Sequence, residues 1–319
     1  MTAEPTLRTL PVNGLDMRIA EAGDGPLVVL CHGFPELWYS WRHQLSSLAE
    51  AGYRAVAPDQ RGYGGTSRPE AIEDYTIDNL AADVVALIDA LGEQQAVIVG
   101  HDWGSPVVWH TALRHPQRVR GVMGMSVPFT GRGDFPPSQL FAALAQQMFF
   151  YIHYFQTPGV ADAELARDPR ATMAKFLWTI SGDSPPGSYK VLPHEGTGFL
   201  DVLSDPPAEL PAWLTDADID YFAGEFARTG FTGGLNWYRN FDRNWERSPD
   251  LGGAKIEVPA GFVAGEKDPV LLMAPPSAME GLVSDLRVSE IIPGAGHWVQ
   301  QERPTETTEA ILAFLRTLD

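Results

Sequence analysis

A single cysteine, Cys31, among 319 residues excludes any intramolecular disulfide. It closes an apolar run, the usual setting of a buried, inert thiol. Basic residues are scarce: 23 Lys and Arg face 41 Asp and Glu, leaving a net charge of −18. Such a surface repels phosphate backbones and anionic lipid, so nucleic acid is not an expected partner. No apolar stretch approaches the ~18 residues of a membrane span, and Met1–Leu10 lacks a basic region leading into an apolar one. Neither membrane insertion nor export is therefore expected, and the cytoplasm is the expected location. No Gly-rich phosphate loop and no Cys/His ligand spacing occur, so neither a cofactor nor a metal is expected. Repeats and low-complexity tracts are absent too. What is present, 44% hydrophobic and 20% charged residues, is the composition of an ordinary globular protein.

The apolar residues fall into short runs closed by turn signals. Thr6–Pro11 and Leu15–Ala20 flank Asn13-Gly14, a dipeptide suited to the left-handed positions of a hairpin turn. Buried parallel strands are predicted at Leu27–Leu30, Arg54–Ala57, Ala96–Val99, Gly121–Met125, Ala260–Ala264 and Val288–Ile292. Between them, stretches such as Thr76–Leu91 carry apolar residues at helical spacing. This alternation predicts an α/β fold, a doubly wound and mostly parallel sheet. It stops near Pro128 and resumes near Val258. The intervening stretch is aromatic-rich, with helices expected over Ser138–Phe150, Ala161–Arg167 and Asp216–Thr229. Residues 1–128 and 241–319 thus read as the core, and 129–240 as a helical cap (lid) domain inserted over the sheet's carboxyl edge.

Four strand ends carry chemistry. Val97–Val99 runs into Gly100-His101-Asp102-Trp103-Gly104 and then a helix. A strand-to-helix turn this sharp needs glycines two positions either side of its tip, and it thrusts the tip side chain outward. Taken alone, Asp102 serves equally well as a helix cap. The second strand end, His32-Gly33-Phe34-Pro35, offers the Phe34 N–H beside that of Trp103 as an oxyanion hole, with Pro35, in a cis bond as one option, holding the loop rigid. The third, Gly294-Ala295-Gly296-His297-Trp298, supplies the best general-base candidate of eight histidines. His32 and His101 read as structural, and His43, His110, His115, His153 and His194 sit in unremarkable contexts. The fourth, Ala264-Gly265-Glu266-Lys267-Asp268-Pro269, places Asp268 to orient the His297 imidazole. The chain order nucleophile, acid, base makes Asp102, Asp268 and His297 a triad of the α/β-hydrolase kind.

A carboxylate tip restricts the electrophile. Ser and Cys suit acyl carbon, whereas a carboxylate, ionised at neutral pH, displaces a leaving group at sp³ carbon and becomes an ester. Water activated by His297 then attacks that ester. Epoxides and haloalkanes are the two obvious substrates; an opening epoxide needs a proton donor, a departing halide needs N–H groups.

With His32-Gly33-Phe34-Pro35-Glu36, Asp59-Gln60-Arg61-Gly62-Tyr63-Gly64, Gly100-His101-Asp102-Trp103-Gly104 and Asn236-Trp237-Tyr238-Arg239-Asn240, the chain resembles the soluble epoxide hydrolases of the α/β-hydrolase superfamily from about Leu10 to its end. The resemblance implies an α/β-hydrolase fold and a small apolar epoxide and water as reactants, with a homodimer as one option for assembly. It also implies two cap tyrosines that donate to the epoxide oxygen. One is Tyr238; the other is Tyr151 in Tyr-Ile-His-Tyr-Phe-Gln-Thr-Pro-Gly, with Tyr154 as the alternative. A tyrosine is protonated at neutral pH yet able to donate to an alkoxide. Tyr154, Trp237 and Trp298 are expected to line the substrate site. Against dehalogenation, the residue after His32-Gly33 is Phe34 rather than Asn, and Trp103 stands where fluoroacetate-type enzymes carry Arg. A binding protein on a decayed hydrolase scaffold would have lost a member of the triad, and all three are present.

Overall fold

The structure, a computed structural model, describes residues 4–319. Eight strands form one sheet: β1 (Thr6–Val12), β2 (Leu15–Ala22), β3 (Leu27–Cys31), β4 (Arg54–Pro58), β5 (Ala96–His101), β6 (Val119–Met125), β7 (Ala260–Gly265) and β8 (Leu286–Ile292). Their order is β1-β2-β4-β3-β5-β6-β7-β8. The β1–β2 hairpin runs antiparallel and pairs antiparallel with β4; the other pairs are parallel. Asn13 and Gly14 both take positive φ, 47° and 75°, which is what a two-residue hairpin turn requires.

Strands β3 to β7 are largely buried on both sides, and their alternation sorts residues between two cores. The strand expected to be buried at Val288–Ile292 forms, as part of β8, but lies at the sheet's edge, where Val288 is half-buried and only Ile292 is buried. Val28, Leu30, Val97, Val99 and Met123 pack under α1 (Arg42–Glu50) and the C-terminal helix Pro304–Arg316. Val29, Cys31, Ile98 and Val122 pack under α2 (Ile77–Ala90) and α3 (Gly104–Arg114). Each side chain so buried contributes about 1.5–3 kcal/mol. Helix α2 stops because Gly92 turns left-handed at φ 82°, so that Glu93 N–H reaches Ile88 C=O at 3.1 Å and Gly92 N–H reaches Asp89 C=O at 2.9 Å.

Between β6 and β7 the chain is helical: α4 (Pro137–Ala145), α5 (Tyr151–Tyr154), α6 (Val160–Ala166), α7 (Pro169–Thr179), α8 (Phe199–Val202), α9 (Asp216–Thr229), α10 (Thr232–Tyr238) and α11 (Phe241–Glu246). The helix expected over Ser138–Phe150 ends at Ala145. Gln147 and Met148 N–H groups both turn back to Leu144 C=O, and Phe149 N–H is drawn away to Leu192 C=O at 2.6 Å. Helix α9 fixes the insertion to the sheet domain. Tyr221 stacks on Tyr39 at 4.1 Å and accepts from Trp38 Nε1 at 2.9 Å, while Asp218 pairs with Arg42 at 3.2 Å and Glu225 with Arg18 at 3.1 Å. No described helix is long and apolar enough to cross a membrane.

Candidate active site

Strands β4 and β5 flank β3, so the winding direction reverses there, where open α/β sheets form a crevice at their carboxyl ends. Phe34 follows β3 and Asp102 follows β5, so both stand on that crevice. The turn carrying Asp102 is tight on both sides. A Cβ on Gly100 would strike the Gly104 carbonyl, and one on Gly104 would strike the Cys31 carbonyl. Asp102 itself is left-handed, φ 50°, a strained position held by its surroundings. Phe34 N–H donates to Asp102 Oδ1 at 2.7 Å, and the Trp103 N–H also serves the carboxylate. The Phe34–Pro35 bond is cis.

His297, on the loop after β8, presents Nε2 to Asp102 Oδ2 at 3.6 Å, outside hydrogen-bonding range. Its Nδ1 faces both Asp268 oxygens at 3.1 Å. Asp268, after β7, is buried and also accepts the Val270 N–H at 2.9 Å. Burial works to lower the His297 pKa, but Asp268 and then Asp102 outweigh it and raise it to about 9. Burial likewise opposes ionisation of Asp268, yet the His297 charge and hydrogen bond, with Ser126 and the Val270 N–H, hold it below its ordinary value. Asp102 moves the other way: burial raises it, and His297 and His101 only partly compensate.

The two tyrosines come from different helices of the insertion. Tyr151 opens α5 and Tyr238 closes α10, their rings 6.1 Å apart. Tyr238 stands edge-on to Phe34 at 5.4 Å and to Trp103 at 5.2 Å. Burial first, then the Asp102 charge, keeps both phenols protonated well above the ordinary tyrosine pKa. Tyr154 is engaged elsewhere. Its hydroxyl donates to Glu164 at 2.8 Å, and that carboxylate caps α8 through the N–H groups of Phe199 and Leu200, both at 2.9 Å. The two tryptophans are buried with their indole N–H groups occupied. Trp237 donates to Arg61 C=O at 3.2 Å and lies against Trp103, and Trp298 donates to Leu177 C=O at 2.8 Å beneath His297.

Three residues that motif reading left without a role stand beside this group. Ser126, at φ 68° after β6, brings its hydroxyl to the Asp268 carboxylate and to His297 C=O at 3.2 Å. Glu36 is fully buried and accepts from Gly33 N–H at 2.9 Å and Gln300 Nε2 at 2.9 Å. Its carboxylate also meets His101 Nδ1 at 2.6 Å, while His101 Nε2 meets His297 C=O at 2.7 Å. Burial opposes ionisation of Glu36, but His101 holds it down at about 2. The third is Glu302, on a short helix just beyond His297. Only the Glu in His-Gly-Phe-Pro-Glu carried a local signal, its place in that motif. Among the described residues no group of three or more His, Cys, Asp or Glu side chains is arranged to hold a metal ion.

An eight-stranded, mostly parallel sheet with a carboxylate at a tight strand-to-helix elbow and a histidine–aspartate pair beside it has the fold of the α/β hydrolases. Residues 26–188 match the alpha/beta hydrolase fold family. Over 99% of its length the chain is 52% identical to epoxide hydrolase A of Mycobacterium tuberculosis, covering 98% of that protein. The crystal structure of epoxide hydrolase A from Mycobacterium thermoresistibile superposes with a TM-score of 0.93 at 51% identity, covering 99% of both chains. An epoxide hydrolase from an endophytic Streptomyces gives 0.94 at 42% identity, over 99% of this chain and 96% of that one. The chain therefore belongs to the epoxide hydrolases of the α/β-hydrolase fold family.

Proposed function

We propose that the protein hydrolyses small apolar epoxides to vicinal diols through an ester on Asp102, beneath a cap formed by residues 129–240. The observation that carries this reading is that two protonated tyrosines, half-buried Tyr151 and buried Tyr238, pack ring to ring at 6.1 Å beside Phe34 and Trp103 and within reach of the Asp102 charge. Asp102 attacks a ring carbon, and the ring C–O bond breaks with its electron pair on oxygen. That oxygen takes a proton from Tyr151 or Tyr238. In the free enzyme His297 is an imidazolium between two carboxylates, with a pKa of about 9. Esterification removes the Asp102 charge and with it part of the reason for that protonation. His297 then returns its proton to the tyrosinate and becomes a base. Water, deprotonated by His297 while Asp268 fixes the tautomer, adds to the ester carbonyl, and the oxyanion is received by the Phe34 and Trp103 N–H groups. Collapse releases the diol and restores both the Asp102 carboxylate and the imidazolium.

The test is to offer a styrene-type epoxide, a haloalkane and fluoroacetate to the purified protein and to measure diol, halide and fluoride. Diol is expected from the epoxide alone; halide without diol would sink the proposal. A single turnover in heavy-oxygen water should place label in the Asp102 carboxylate and leave the diol unlabelled. Label in the first diol would rule out the ester route.

A further inference from the structure

The loop bearing His297 is built half from the insertion. His297 N–H donates to Ile180 C=O at 2.9 Å, just beyond α7. Two residues on, the backbones touch with no side chain between them: a Cβ on Gly182 would strike the Gly294 carbonyl, and one on Gly296 would strike the Gly182 nitrogen. One buried carboxylate joins the two segments. Glu302 Oε2 accepts Gly182 N–H and Gly296 N–H, both at 2.8 Å, and Oε1 accepts Trp298 N–H at 3.0 Å. Lys267, next to Asp268, donates from Nζ to Gly182 C=O at 2.7 Å and so closes the loop from its other side.

Capping the short helix Val299–Glu302 would account for the bond to Trp298 N–H but not for those to Gly182 and Gly296. The N–H groups on either side of His297, at Gly296 and Trp298, converge on the same carboxylate as a cap-side N–H. Moving the Gly182 segment therefore moves the backbone that aims the imidazole. Resting on the ester route proposed above, we infer that Glu302 is a positioning residue for water activation, tying the 180–182 segment to the His297 loop so that Nε2 is held in place for ester hydrolysis and not for ring opening.

Glu302→Gln keeps the shape but offers one acceptor oxygen and an NH2 donor in place of two acceptors, so one of the three N–H groups must face another donor. Rapid-quench single turnovers with styrene oxide separate the two chemical steps, with the ester read by intact-protein mass and the diol by chromatography. In E302Q, ester formation should stay within a few-fold of wild type. Ester hydrolysis should slow by about a hundredfold, the scale of an ångström-level misplacement. Ester-loaded protein should then accumulate at steady state. Lys267→Met, less disruptive to folding, should slow the same step to a smaller extent, and it decides the matter if E302Q does not fold. Equal loss in both steps, or unchanged hydrolysis in a folded variant, overturns the inference. Absence of ester in the wild-type enzyme would instead defeat the ester route, and this inference with it, before any variant is compared.

Discussion

Replacing Asp102 by Asn removes a charge and little else, and its effect should be read on His297 rather than on product. The two side chains are 3.6 Å apart and both largely buried. At about 4 Å, an effective dielectric of about 20 gives an interaction near 4 kcal/mol, and one pKa unit corresponds to about 1.4 kcal/mol. Asp268, meeting Nδ1 through both oxygens at 3.1 Å, stays in place and retains its share of the effect. Loss of the Asp102 charge should therefore lower the His297 pKa from about 9 by up to about three pH units. The imidazole resonances should be followed by NMR against pH in wild type and D102N, with a His297→Gln variant assigning the signal among the eight histidines. A titration midpoint unmoved in D102N would show that Asp102 does not hold the proton on His297. The proposed conversion of that residue from imidazolium to base on ester formation would then be wrong.

Tyr151→Phe and Tyr238→Phe should each slow ester formation by roughly 10²–10⁴, the usual worth of a general acid, whereas Tyr154→Phe should leave both chemical steps intact and lower stability by about 1 kcal/mol through the lost bond to Glu164. Stopped-flow kinetics and urea melts of the three variants check this. His297 also makes stability depend on pH. Its folded pKa of about 9 lies above the ordinary 6.5, so its contribution is complete below about 6.5 and is lost as pH rises through about 9. Urea midpoints should fall across that window in wild type and fall less in His297→Gln. Burial pushes the Cys31 thiol up to about 12, so a disulfide reagent at pH 8 should label nothing in the native protein and one thiol in denaturant. Rapid labelling of the native protein would contradict its burial.

The parts of the molecule readable from sequence are those whose cause is local. The central strands β3, β5 and β7 are apolar runs, and the elbow announces itself because Gly100 and Gly104 have carbonyls where a Cβ would be. Strand ends at Phe34, Asp102, Asp268 and His297 follow from those runs, since parallel strands align their carboxyl ends. Residues whose position depends on distant partners were not readable. Nothing near Ser126 in the chain indicates that it meets a side chain 142 positions on, and nothing near Glu302 indicates Gly182, 120 positions back. Tyr151 and Tyr154 differ by three positions on one short helix, and what separates them is Glu164 on α6, which takes up the hydroxyl of the second. Helix α4 ends early for a similar reason: Leu192, from a remote loop, captures the Phe149 N–H.

The crowding around Gly100 and Gly104 has a consequence for how this scaffold can change. Backbone on both sides leaves the elbow no latitude at Gly100 and Gly104, so substitutions at those two positions are paid for in folding, while the tip itself carries a side chain that packs against Gly33. On the proposed ester route, the kind of carbon attacked is governed by the side chain at that one position. On that route the strand and helix meeting at Asp102 set where the reaction occurs, while the identity of the tip and the donors above it, Tyr151 and Tyr238, set which reaction it is.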